Sequence, residues 1–146
     1  MMNVLYSIFL MTASWQDAKS RKIPIWLFAL FGAIGAAVRI LGKQAGMADT
    51  AAFLPGLFLL AVCACTGGAV GAGDGCFFLV SACFLTPGCT VLLFLCGLLC
   101  CGACSLGMFT WGFVRKIDAG KIRLPFLPFL IPAWVWIVFL QRGGGL

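Results

Sequence analysis

Six apolar runs fill nearly the whole sequence, and the breaks between them are short. They cover roughly residues 1–18, 24–42, 51–70, 74–86, 88–113 and 125–140. A straight helix needs about 17–25 residues to cross a bilayer, so runs of this length predict helices whose solvent is lipid. Composition agrees: 63% of residues are hydrophobic and only 10% are charged, with a mean hydropathy of +1.13. Soluble domains carry about 25% charged residues. The expected fold class is therefore all-α, a polytopic membrane helical bundle of about six transmembrane helices, with residues 1–146 forming one domain. The first and fourth runs are short for a span, which implies tilt, local thinning or a wet crevice beside them.

Ten Lys and Arg stand against four acids, all of them Asp, and the chain has no Glu or His. No basic stripe interleaved with aromatics is present, so the expected partners include a lipid bilayer and no nucleic acid. The bases instead orient the runs. Lys19, Arg21, Lys22, Arg115, Lys116, Lys121 and Arg123 fall on one side, and Arg39, Lys43 and Arg142 on the other. The positive-inside tendency puts the first group in the cytoplasm, and with it Asp17 and Asp74. The start of the chain lacks a basic region ahead of its first run, so it reads as a retained span.

Seven of the nine cysteines lie inside apolar stretches, where a thiol serves as a small packing residue. Cys101-Gly-Ala-Cys104 has C-x-x-C spacing but no second pair and no His to complete a zinc site. No metal and no cofactor are expected.

Asp49 and Asp118 sit in polar loops and read as solvated. Asp17 and Asp74 differ, since a carboxylate at membrane depth costs about 2.5–3.5 kcal/mol on insertion scales and usually faces a bundle interior for a functional reason. The plainer alternatives are an interfacial Asp17 balanced by Lys19 and Arg21, and an Asp74 that caps its helix. Before Asp74 stands CTGGAVGAGD. Gly67 with Gly71, and Gly68 with Ala72, give small faces at helical spacing, and Gly71-Ala-Gly73 clears space just ahead of the acid. The pattern is neither a dinucleotide fingerprint nor a P-loop, because Cys76 replaces the third Gly and no Gly-Lys-Ser/Thr follows. Two carboxylates that converge in a low-dielectric crevice share one proton, so one can activate water while the other polarises a carbonyl. Asp17 and Asp74 are thus the candidate catalytic pair. Cys76 is the nearest thiol.

These residues resemble the type IV prepilin peptidase family, integral-membrane aspartic leader peptidases of the GxGD type. The family's first acid is followed by a few residues, often basic, and then Ile-Pro; here Asp17 is followed by Ala-Lys-Ser-Arg-Lys-Ile23-Pro24. Its G-x-G-D stands as Gly71-Ala72-Gly73-Asp74. A C-terminal Ile-Pro-Phe-Gly-Pro-Phe-Leu is similar to Leu124-Pro125-Phe126-Leu127-Pro128-Phe129-Leu130. The three motifs occur in the family's order across nearly the whole chain. Two positions depart from it: Ile25 replaces a common Asn, and Cys76 replaces a Lys two residues after the second acid.

The resemblance implies an aspartic endopeptidase that removes short basic leaders from prepilin or pseudopilin substrates at the cytoplasmic face of the inner membrane. Asp17 and Asp74 would be catalytic, while Ile23, Pro24, Gly71, Gly73, Pro125, Phe126 and Pro128 would shape the approach or the helices. Asp17 comes too early for the N-terminal cysteine-bearing extension of larger relatives, so the short, peptidase-only form is the one resembled. Two other classes remain open: a small transporter using the acids as a proton or cation relay, and a catalytically altered membrane protein of pilus assembly.

Overall fold

The computed structural model describes residues 2–20, 24–41, 47–67, 71–115 and 126–143. Among them the chain is all-α, with six helices: α1 (Met2–Ser20), α2 (Ile25–Leu41), α3 (Leu54–Cys65), α4 (Ala72–Ser81), α5 (Pro87–Arg115) and α6 (Leu130–Arg142). Short 3₁₀ segments, Met47–Phe53 and Leu127–Phe129, lead into α3 and α6. Prolines mark the starts. The Pro24 carbonyl accepts the Leu27 amide at 3.1 Å as α2 begins, Pro55 stands in the first turn of α3, and Pro87 is the first residue of α5. A helix start needs no proline N–H, and the fixed φ of proline suits it.

Each apolar run contains one helix, but two runs end early. The third run stops as a helix at Cys65, where the Thr66 amide turns back to the Val62 carbonyl at 2.9 Å and Gly67 takes φ +62°. A left-handed glycine just past the last turn is a common helix stop. Gly67 and Gly71 therefore do not share a helical face, which corrects the first of the two small-residue faces expected there; Gly68 of the second lies outside the described residues. The fourth run leaves the helix at Ser81. Phe84 and Leu85 are buried in the turn that follows, so their apolar character reflects burial and not helix.

Among the described residues one helix, Pro87–Trp111, is long and apolar enough to cross a membrane by length and composition. The shorter apolar helices run 10–17 residues, below the roughly 20 that a straight span needs. Six helices are present, but six full-length spans are not established.

α4 occupies the middle. Its Phe77, Phe78 and Ser81 are fully buried. Phe9 of α1 stacks on Phe77 with ring centroids 5.0 Å apart, and Tyr6 meets Trp134 of α6 edge-on at 4.6 Å. The Tyr6 and Ser81 hydroxyls pair at 3.3 Å, and Ser81 also donates to the Phe77 carbonyl. Two glycines let α3 and α4 touch. A Cβ on Gly56 would stand 2.8 Å from the Leu79 amide nitrogen, and one on Gly75 would stand 2.7 Å from the Leu60 side chain. At the far end of α4 from Asp74, the Arg39 guanidinium of α2 donates to the Ala82 carbonyl at 2.5 Å. A cation there complements the negative end of the helix dipole.

Candidate active site

Asn3, Ser7, Leu10, Ser14 and Asp17 follow one another on α1 at spacings of four and three, so they lie along a single face. That face meets α6 and the turn before it along its whole length. Asn3 donates to Gln141 at 3.1 Å, and Trp134 Nε1 donates to Ser7 Oγ at 2.9 Å. At the other end Ser14 Oγ donates to the Leu127 carbonyl at 3.2 Å, while the Leu127 amide donates to Asp17 Oδ2, also at 3.2 Å. One peptide residue is thus held from both its polar groups by two residues one turn apart on α1. The Leu127 side chain is fully buried beneath this clasp.

Asp74 enters from α4. The N-cap of that helix is Gly71, which has ordinary extended dihedrals and no side chain to cap with. Asp74 stands in the first turn instead, where the helix dipole favours an acid. The helix is rotated by Phe77 and Phe78, three and four residues on and both buried, so the Asp74 side of α4 faces the bundle. Gly71 adjoins the acid: a Cβ there would lie 3.4 Å from Asp74 Oδ2, in ordinary van der Waals contact. Its backbone conformation would suit any residue.

Asp17 and Asp74 lie close enough for each carboxylate to act electrostatically on the other, and both are half-buried. Such a pair resists double ionisation, and a shared proton relieves it.

The remaining expected residues divide. Phe126 is half-buried, with its ring 6.3 Å from that of Phe78. Pro128 lies inside the 3₁₀ turn that Asp17 holds. Pro24 is a helix-start residue, and Gly73 is the second residue of α4. Ile23, Pro125 and Asp118, and the side chain of Asp49, lie outside the described residues. Cys76 is half-buried and unbridged, as are Cys100 and Cys101 of α5.

Two features escaped the reading of the sequence. Ser14 and the Leu127 backbone belong to the site through the clasp, and Cys101 lies within electrostatic reach of Asp74. The spacing of Ser14 from Asp17 carried a signal, since both fall on one helical face. Cys101 carried none, because a thiol in an apolar helix looks like any other packing residue. Among the described residues no three His, Cys, Asp or Glu side chains gather as metal ligands would.

Comparison of the chain with protein-family models, with curated proteins and with solved structures finds no match.

Proposed function

We propose that this chain is a membrane-embedded aspartic endopeptidase that removes short basic leaders from prepilin-like proteins. The observation that carries the reading is that Asp17 and Asp74, two half-buried carboxylates on different helices, lie within electrostatic reach of one another. The G-x-G-D stretch, which resembles that of the prepilin peptidase family, carries Asp74, and the described part of the similar C-terminal motif, Phe126 to Phe129, meets Asp17 through the Leu127 amide.

The chemistry follows from two acids and one proton. The Leu127 amide donates to Asp17 Oδ2, and an ionised oxygen accepts such a bond more strongly than a neutral one. We assign the shared proton to Asp74 and the water-activating role to Asp17. Asp17 accepts a proton from water as its oxygen attacks the scissile carbonyl carbon, and Asp74 donates a hydrogen bond and then a proton to the carbonyl oxygen. Collapse of the tetrahedral species breaks the C–N bond as Asp17 gives its proton to the departing amine and one hydroxyl of the tetrahedral carbon returns a proton to Asp74.

The membrane setting is part of the same proposal. Large apolar side chains face outward on every helix except the central α4; Trp15, Trp26, Phe58, Leu99, Trp111 and Phe139 are all more than half exposed. A surface of that kind needs lipid or a partner to cover it. The shorter helices would then lie in a locally thinned bilayer or beside a wet crevice that admits water to the pair. The split of basic residues favours a cytoplasmic-facing site in the inner membrane.

The test is to incubate the purified protein with a prepilin-like substrate and read the product mass. The expected product lacks a short hydrophilic leader and begins at the apolar stem, with the cut after a Gly. Ion flux without cleavage would favour the relay reading instead.

A further inference from the structure

Helices α5 and α6 run antiparallel and touch at both ends of their contact. Gln141 Nε2 donates to Cys89 Sγ at 3.1 Å at the end far from the acids, and Gly97 meets the start of α6 at the near end. Helix α5 carries four glycines: Gly88, Gly97, Gly102 and Gly107. A Cβ on Gly88, Gly102 or Gly107 would meet nothing within 4 Å. On Gly97 it would overlap Leu130 Cδ2 and stand 3.2 Å from Phe126 Cζ. A glycine inside a helix gives up helix propensity, and only at Gly97 does the packing of α5 use the space it leaves.

Phe126 and Leu130 flank Leu127, the residue whose amide reaches Asp17. Hydrogen bonds make the link, not nearness alone. The Leu130 amide donates to the Leu127 carbonyl, the same carbonyl that Ser14 Oγ meets, and the Phe129 amide donates to the Phe126 carbonyl at 3.1 Å. Leu127 and Leu130 are both fully buried. A Leu130 side chain pressed by a new methyl therefore has no open space to swing into, and it passes the push to the turn. We infer that Gly97 is a positioning residue for Asp17: its bare backbone lets α5 close on Phe126 and Leu130, and so sets where the Leu127 amide stands before the carboxylate. The turn is held from one side by α1 and from the other by α5. The effect on cleavage rests on the peptidase reading; the effect on the Leu127 amide does not.

Two measurements on the full-length protein test this. The first needs no substrate: hydrogen exchange of the Leu127 amide in micelles, read from leucine-labelled protein and identified as the signal missing from Leu127→Ile. Gly97→Ala should speed exchange at Leu127 at least about tenfold and leave the Leu79 amide of α4 as in wild type, because the loosening is local and not global. Gly35→Ala is the matched control. Its methyl would stand 2.7 Å from Cys83 Cβ, beyond the far end of α4, and should leave Leu127 exchange unchanged. Should Gly97→Ala fail to insert, Phe126→Leu, which withdraws the ring tip from Gly97, takes its place with the same expected result. Unchanged exchange at Leu127 in the folded variant overturns the inference.

The second is turnover of the prepilin-like substrate. Gly97→Ala should lower kcat at least about tenfold with KM within about twofold, since a misplaced Asp17 weakens the transition state and not substrate binding. Adding Leu130→Val, which removes the overlapped Cδ atoms, should restore kcat to within about threefold of wild type, and Leu127 exchange with it. An equal loss of kcat in Gly35→Ala, or no recovery in the double variant, makes Gly97 a packing residue only and overturns the inference while leaving the peptidase standing. If the wild-type protein does not cleave, the peptidase reading falls and the exchange measurement alone decides. Faster exchange at Leu127 with Leu79 unchanged then upholds the inference, and unchanged exchange at Leu127 overturns it.

Discussion

Asp17 Oδ2 accepts a hydrogen bond from the Leu127 amide at 3.2 Å, across a sequence separation of 110 residues. A carboxylate given this role is oriented before any substrate arrives. Ser14 completes the arrangement by donating to the carbonyl of the same residue. The turn that carries Phe126 and Pro128 is thereby fixed to the helix that carries the acid.

Removing half of this clasp should cost stability before chemistry. Ser14→Ala leaves a buried carbonyl without its hydroxyl partner, and an expected loss of about 1 kcal/mol follows. Unfolding in micelles would measure it. Cleavage should persist at reduced kcat, because Asp17 keeps the Leu127 amide. An unchanged unfolding midpoint would mean that the Ser14 bond holds nothing.

Space beside Asp74 gives a second test. Gly71→Ala puts a methyl group 3.4 Å from Asp74 Oδ2, an ordinary van der Waals contact, at a residue whose extended backbone alanine adopts freely. The carboxylate can keep its place, so a kcat within about twofold of wild type is expected, read from initial rates on a saturating substrate. A tenfold fall in this variant would show that the glycine does more at the site than leave room beside Asp74.

Much of this site was legible locally. Gly71 to Asp74 is one short stretch, and its use of small residues ahead of an acid can be read without knowing the fold. The six apolar runs likewise gave six helices, because long apolar runs have few other ways to satisfy their backbone. What could not be read was pairing across the chain. Leu127 is an ordinary apolar residue whose contribution is a backbone N–H, which no side chain announces. Asn3, Ser7 and Ser14 looked like scattered polar residues in an apolar run until α6 was seen opposite them. Helix ends were missed at Gly67, where backbone handedness decides, and at Phe84 and Leu85, where a buried turn is as apolar as a helix.

The contact between α3 and α4 offers a case where two effects oppose. Gly56→Ala should favour the helix by about 1 kcal/mol on propensity alone. The new methyl would stand 2.8 Å from the Leu79 backbone nitrogen, which cannot move without shifting α4. Overpacking of this kind costs about 1–3 kcal/mol. Net destabilisation is expected, with lower activity because α4 carries Asp74; a stabilised Gly56→Ala protein would contradict the close approach.

A pair that works with one proton should be active only between two limits. At low pH both acids are protonated and no base remains. At high pH both are ionised and no acid remains. The profile of kcat/KM should therefore be bell-shaped, its two limbs belonging to the pair and not to either residue. A rate that rises with pH and reaches a plateau would leave only a base in play and remove Asp74 from its role as acid.

The most direct measurement is cleavage of a prepilin-like substrate by Asp17→Asn and Asp74→Asn proteins, each checked for correct insertion and normal unfolding. Asparagine keeps the shape of each side chain but cannot exchange the proton, so each variant should lose at least about a thousandfold in kcat/KM. Asp49→Asn and Asp118→Asn should cleave at nearly the wild-type rate. Substantial cleavage by a folded Asp17→Asn or Asp74→Asn protein would contradict the assignment of these two carboxylates as the catalytic pair.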